Sequence, residues 1–177
     1  NGVKSYQAFS AAVDRFNSNA RDVRHIYVNC ISRQLDQKTS QGYFEYVDSL
    51  SAGIDASRNI SDVKADVLVR SVVYSALQNY DAAVSDLTTY LSIDSLSSLG
   101  YWQRAFCLSK MNEFNASGGT DVRIAAERAM ADMNQAIRLD SDNQYLFYNR
   151  GNMYAAGKLY DKAFADYTEA IRLDANL

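Results

Sequence analysis

The stretch that decides the fold is NQAIRLD at 134–140, because TEAIRLD stands at 168–174 and ends 34 residues later. Neither copy carries a catalytic grouping, so the repetition speaks of architecture. Around them, FYNRGNMYAAGKLYDKAFADYTEAIRLDANL at 147–177 aligns with two earlier stretches. Units begin at Lys64, Ser98 and Gln144, 34 and then 46 residues apart, so the second unit carries 12 extra residues. Its eighth position is always small: Ser71, Ala105, Gly151. Position eleven holds Tyr74, Leu108 and Tyr154, and position seventeen Tyr80, Phe114 and Tyr160. Alanine recurs at position twenty as Ala83, Ala129 and Ala163. Position twenty-four is large (Leu87, Met133, Tyr167), and position twenty-seven holds Tyr90, Ala136 and Ala170. Each unit closes on an apolar residue and an aspartate: Ile93-Asp94, Leu139-Asp140 and Leu173-Asp174.

Two antiparallel helices that cannot bury their apolar stripes alone explain this pattern. Small residues at eight and twenty let the backbones approach, while large ones at eleven, seventeen and twenty-four fill the flanks. The spacing predicts helices near 64–78, 80–93, 98–113, 122–139, 144–157 and 160–173, and no sheet. Upstream, Val3, Tyr6, Phe9, Val13 and Phe16 form one stripe, and Val23, Ile26, Tyr27, Cys30, Ile31 and Leu35 a second. Tyr43, Tyr46, Val47, Leu50 and Ile54 form a third, giving three amphipathic helices before residue 60. Residues 1–63 are therefore read as an N-terminal helical region, a degenerate repeat or cap, that packs on the unit at Lys64. Leu68, Val69, Val72 and Val73 make the first helix of that unit apolar nearly all round. The insertion NASGGTDVRIAA lies between the helices of the second unit, where Gly118 and Gly119 break the chain and Thr120 or Asp121 starts an extended second helix.

This pattern resembles the tetratricopeptide repeat family, with three repeats at 64–97, 98–143 and 144–177. Ser95, Ser141 and Ala175 depart from its usual closing proline, and Tyr90 from a small residue. The resemblance implies an all-α, right-handed α-α superhelix whose first helices line a concave groove. It places Leu68, Val69, Val72, Leu99, Trp102, Gln103, Phe106, Lys110, Tyr145, Tyr148, Asn149 and Asn152 on that groove. The expected site is Trp102, Gln103, Phe106, Lys110, Tyr145, Tyr148, Asn149 and Asn152, where aromatic rings and amides suit a peptide or helix of a partner protein. The subclass of the family that clamps the C-terminal carboxylate of chaperone tails uses lysine, arginine and asparagine. Leu68, Val72, Gln103, Tyr145 and Asn149 hold those places here, without a cation.

Function classes narrow further from the whole chain. The 177 residues are 47% hydrophobic and 22% charged with net charge −3, which suits a compact domain or short repeat array. Arg15, Arg21, Arg24 and Arg33 alternate with apolar residues instead of forming a basic run, so no nucleic-acid grip is expected. Arg70, Arg104 and Arg150 recur at position seven and Asp86, Asp132 and Asp166 at twenty-three, a spacing expected of helix-to-helix pairing. His25 is the only histidine, and no phosphate-binding loop, zinc spacing or HExxH appears, so neither catalysis, a metal nor a cofactor is expected. Asn59 and Asn115 each head an Asn-x-Ser triplet, a motif short enough to arise by chance. No run approaches the roughly 18 apolar residues of a membrane span. The chain starts at Asn1, which leaves room for a removed leader or upstream segment, and isolated Cys30 and Cys107 assign no compartment. The alternative function is a structural or assembly segment of a longer solenoid or homo-oligomer, self-associating through Phe164, Tyr167 and Ile171 of the C-terminal repeat.

Overall fold

The computed structural model describes residues 40–56, 59–114 and 120–174, and among them every regular element is a helix. The two upstream stripes, with His25 and Cys30, lie outside the described residues, as does the Asn115 triplet. The chain divides into two compact units, Asn1–Ser95 and Leu96–Leu177.

In the first unit the helices are α1 (Ser40–Ala56), α2 (Ile60–Ala76) and α3 (Tyr80–Ile93). The third upstream stripe is α1, whose Val47 packs with Val73 of α2 beside Tyr74 and Leu77. Leu68, Val69 and Val72 are buried as well, so the apolar girth read from the sequence is packed and offers no groove surface. Helix α2 begins at Ile60, ahead of the expected Lys64, because the Asn59 side chain accepts the Ser61 N–H at 2.9 Å and Asp62 stands in the first turn.

The second unit contains α4 (Ser98–Phe114), α5 (Thr120–Leu139), α6 (Gln144–Ala156) and α7 (Tyr160–Asp174). The expected extension of the second helix is present, as α5 runs for 20 residues from Thr120. Side-chain caps set the starts of α4 and α6. Ser97 Oγ accepts the Gly100 N–H ahead of α4, and Asn143 accepts the Tyr145 N–H ahead of α6.

Within each hairpin the small positions are where the helices meet. Ala83 and Ala129 are fully buried and Ala163 nearly so, as are Ser71, Ala105 and Gly151 opposite them. The turn between helices is the same in the first and third hairpins. Asn79 donates its N–H to Tyr74 O at 2.9 Å and Gln78 to Ser75 O at 3.0 Å; Leu159 donates to Tyr154 O at 2.8 Å and Lys158 to Ala155 O at 2.9 Å. This double closure needs a left-handed residue, and Gln78 (φ 61°) and Lys158 (φ 59°) supply it without glycine. Gly157, one residue earlier, keeps an ordinary φ of −79°.

Candidate partner-binding face

The recurring arginines and aspartates pair within their own hairpins. Arg70 holds Asp86 through Nε at 2.8 Å and Nη2 at 2.7 Å. Arg104 holds Asp132 at 2.7 and 2.8 Å, and Arg150 holds Asp166 at 2.8 and 2.7 Å. Hydrogen bonding to the aspartate raises each guanidinium pKa above its usual range, against the opposing effect of burial. Two of the forks also reach the preceding helix: Arg70 Nη1 donates to Ser51 Oγ at 3.0 Å, and Arg150 Nη1 to Asn134 Oδ1 at 2.9 Å. These cations are committed to joining helices, so an anionic ligand would have to displace a bidentate carboxylate.

In the second unit, α4 and α6 are first helices of successive hairpins. Both contribute to one cluster centred on α5, of Ala105, Met133, Ala136, Ile137 and Leu146, with Tyr101, Trp102, Phe147 and Met153 at its edge. Surface residues flank that cluster along the chain: Phe106 follows Ala105, and Tyr145 precedes Leu146. Phe106, Tyr145 and Tyr148 are exposed aromatics. Lys110, one turn on, puts its Nζ 5.9 Å from the Phe106 ring centroid. Asn149 donates from Nδ2 to Tyr145 O at 2.6 Å, and exposed Asn152 accepts the Tyr167 hydroxyl at 2.8 Å. Trp102 is half-buried at the cluster edge, and Gln103 is buried to 6% exposure, below the surface that the spacing alone assigned to it.

Tyr167 of α7 joins this face although its place in the repeat is that of a gap filler. Its ring lies 5.9 Å from that of Tyr148. It passes over Gly151, where a Cβ would stand 2.6 Å from Cε1. The sequence signal was the pair itself: the smallest residue at position eight occurs in the unit with the largest at twenty-four. Among the described residues no group of three or more His, Cys, Asp and Glu side chains could hold a metal ion. Nor is any helix there long and apolar enough to cross a membrane.

A family model described as tetratricopeptide repeat matches residues 145–177. No curated protein matches the chain in sequence. Among solved structures, one of MamA is similar at TM-score 0.61 with 18% identity, covering 78% of this chain and 73% of that one. A second, MamA AMB-1, is similar at TM-score 0.56 with 13% identity, covering 100% of this chain and 95% of its own. At these identities the likeness is one of fold, and it agrees with the hairpins and their recurring small positions. Residues 145–177 thus match the tetratricopeptide repeat directly, and the fold as a whole is similar to that of these two structures.

Proposed function

We propose that this chain is a non-catalytic protein-interaction module, and that the α4–α6 face of its second unit receives an apolar or aromatic-anchored segment of a partner protein. The observation that supports this reading is that Phe106 of α4 and Tyr145 and Tyr148 of α6 are exposed while their chain neighbours Ala105 and Leu146 are packed in one core. Rings on first helices held by a rigid core offer apolar area at little conformational cost, and neighbouring amides can bond a partner's backbone. Lys110 over Phe106 and Asn152 beside Tyr148 supply the polar rim.

Trp102 is the only tryptophan and stands at the edge of this core, so its emission reports on the face. Peptides selected for binding should shift that emission. Phe106→Ala and Tyr148→Ala should each weaken binding about tenfold, a loss of about 1.4 kcal/mol, as expected of partly exposed interface anchors. Arg138→Ala, on the exposed side of α5, should leave affinity unchanged. Peptides whose affinity ignores both aromatic substitutions would overturn the assignment.

A further inference from the structure

Helix α7 carries an apolar stripe that its counterpart α5 does not expose. Ile137 of α5 is packed with Leu146 of α6 and only 9% exposed. Ile171 stands at the same repeat position in α7 and is 70% exposed, with Phe164 at 73% and Tyr160 also exposed. At about 100° per residue, Tyr160, Phe164, Tyr167 and Ile171 fall within about 60° of one another. Asp161 and Arg172 lie together on one flank of that stripe, about 60–80° from Phe164 and at opposite ends of the helix. Both are exposed, and Arg172 bonds Glu169 one turn back through Nε at 2.8 Å and through Nη2.

We infer that the occupant of this face is the α7 of a second copy of the chain, laid antiparallel about a two-fold axis. Such an axis keeps each flank on its own side and reverses the helix direction. Asp161 therefore meets the partner's Arg172, and Arg172 meets the partner's Asp161. That register also interleaves the stripes. With Asp161 level with the partner's Arg172, the partner's Ile171 falls between Tyr160 and Phe164, and the partner's Tyr167 between Phe164 and Tyr167. One register thus satisfies both charge and packing, which a stripe without flanking charges of opposite sign would not do. The face is also one that already takes an antiparallel helix in this fold, since α6 lies so on α5 across the short Asp140–Asn143 turn. This inference shares Tyr167 with the peptide-binding face but rests on the exposure and charges of α7, not on that reading.

Sedimentation equilibrium on the full chain from micromolar to submillimolar concentration tests it. The chain should show a monomer–dimer equilibrium that Phe164→Asp abolishes with the helical circular dichroism unchanged. Asp161→Arg and Arg172→Asp should each weaken self-association by about three- to thirtyfold, because the two-fold axis turns one substitution into two like-charge contacts. Mixed together, the two self-repelling variants should form a heterodimer in which both contacts are again opposite in sign. A chain that stays monomeric overturns the proposal, as does a dimer that survives Phe164→Asp or a mixture of the two variants that associates no better than either alone.

Discussion

Gly151→Ala tests the packing of the third hairpin most directly. In a helix interior this substitution ordinarily gains about 1 kcal/mol. Here the added Cβ would stand 2.6 and 2.8 Å from Cε1 and Cδ1 of Tyr167, closer than carbon atoms pack. The ring is held by its hydroxyl bond to Asn152 and by Tyr148, so it must give up one or both to move. Overpacking of this kind costs about 1–3 kcal/mol, and the net expectation is a loss of up to about 2 kcal/mol. Tyr167→Met removes the obstruction and, with Gly151→Ala, reproduces the Ala105–Met133 pair of the second hairpin. In that background Gly151→Ala should stabilise by about 1 kcal/mol, so the two changes couple by about 1–3 kcal/mol. Urea unfolding of the four chains, at one low protein concentration to keep self-association out, measures the cycle. If the two effects add within about 0.5 kcal/mol, or if Gly151→Ala alone stabilises, the ring does not close over the glycine.

Further expectations follow from the same contacts. Lys158→Gly should stabilise by up to about 1 kcal/mol, since Lys158 sits at φ 59°; a lower melting temperature would count against the turn. Arg150→Lys should cost roughly 1–3 kcal/mol in urea unfolding, because a single ammonium replaces neither the two-pronged grip on Asp166 nor the bond to Asn134. Stability equal to the parent would show that charge alone suffices. Ala163→Leu should cost roughly 1–3 kcal/mol, as Ala163 is buried at the α6–α7 crossing; an unchanged melting temperature would refute that crossing. Acidic chaperone-tail peptides should bind no better than their scrambled or C-terminally amidated forms, because Leu68 and Val72 are buried and no cation stands at the clamp positions. Calorimetry showing carboxylate-dependent, salt-sensitive binding would reverse this.

The hairpins were legible because their determinants are local or recur. Asn79 and Asn143 are visible caps, and small residues at fixed offsets announce close helix approach. The start of α2 was less legible. The repeat count places its first helix from Lys64, whereas the Asn59 cap and Asp62 begin it at Ile60. Glycine is no guide to the turn after α6, because the left-handed place is set by where the helix runs out of hydrogen bonds and falls on Lys158, not Gly157. The candidate face was legible as a set of positions and not as a set of depths. Spacing puts Trp102, Gln103 and Phe106 on one helix side, yet Phe106 reaches solvent and Gln103 does not. Depth depends on what neighbouring helices bring, and a single helix carries no record of that.

A repeat array supplies its own controls, and that is where these readings gain their force. Ser71, Ala105 and Gly151 shrink as Leu87, Met133 and Tyr167 change opposite them, so the third hairpin spends backbone freedom to bring a ring onto the α6 face. Ile137 and Ile171 are one residue type in one place, and one is packed against α6 while the other is 70% exposed. The Arg–Asp forks are the opposite case, alike in all three hairpins down to their bidentate geometry. What is common to every copy maintains the hairpin. Differences at equivalent positions therefore direct mutagenesis to Tyr167 with its neighbours Tyr148 and Asn152, and to the Phe164–Ile171 stripe, before any of the shared positions.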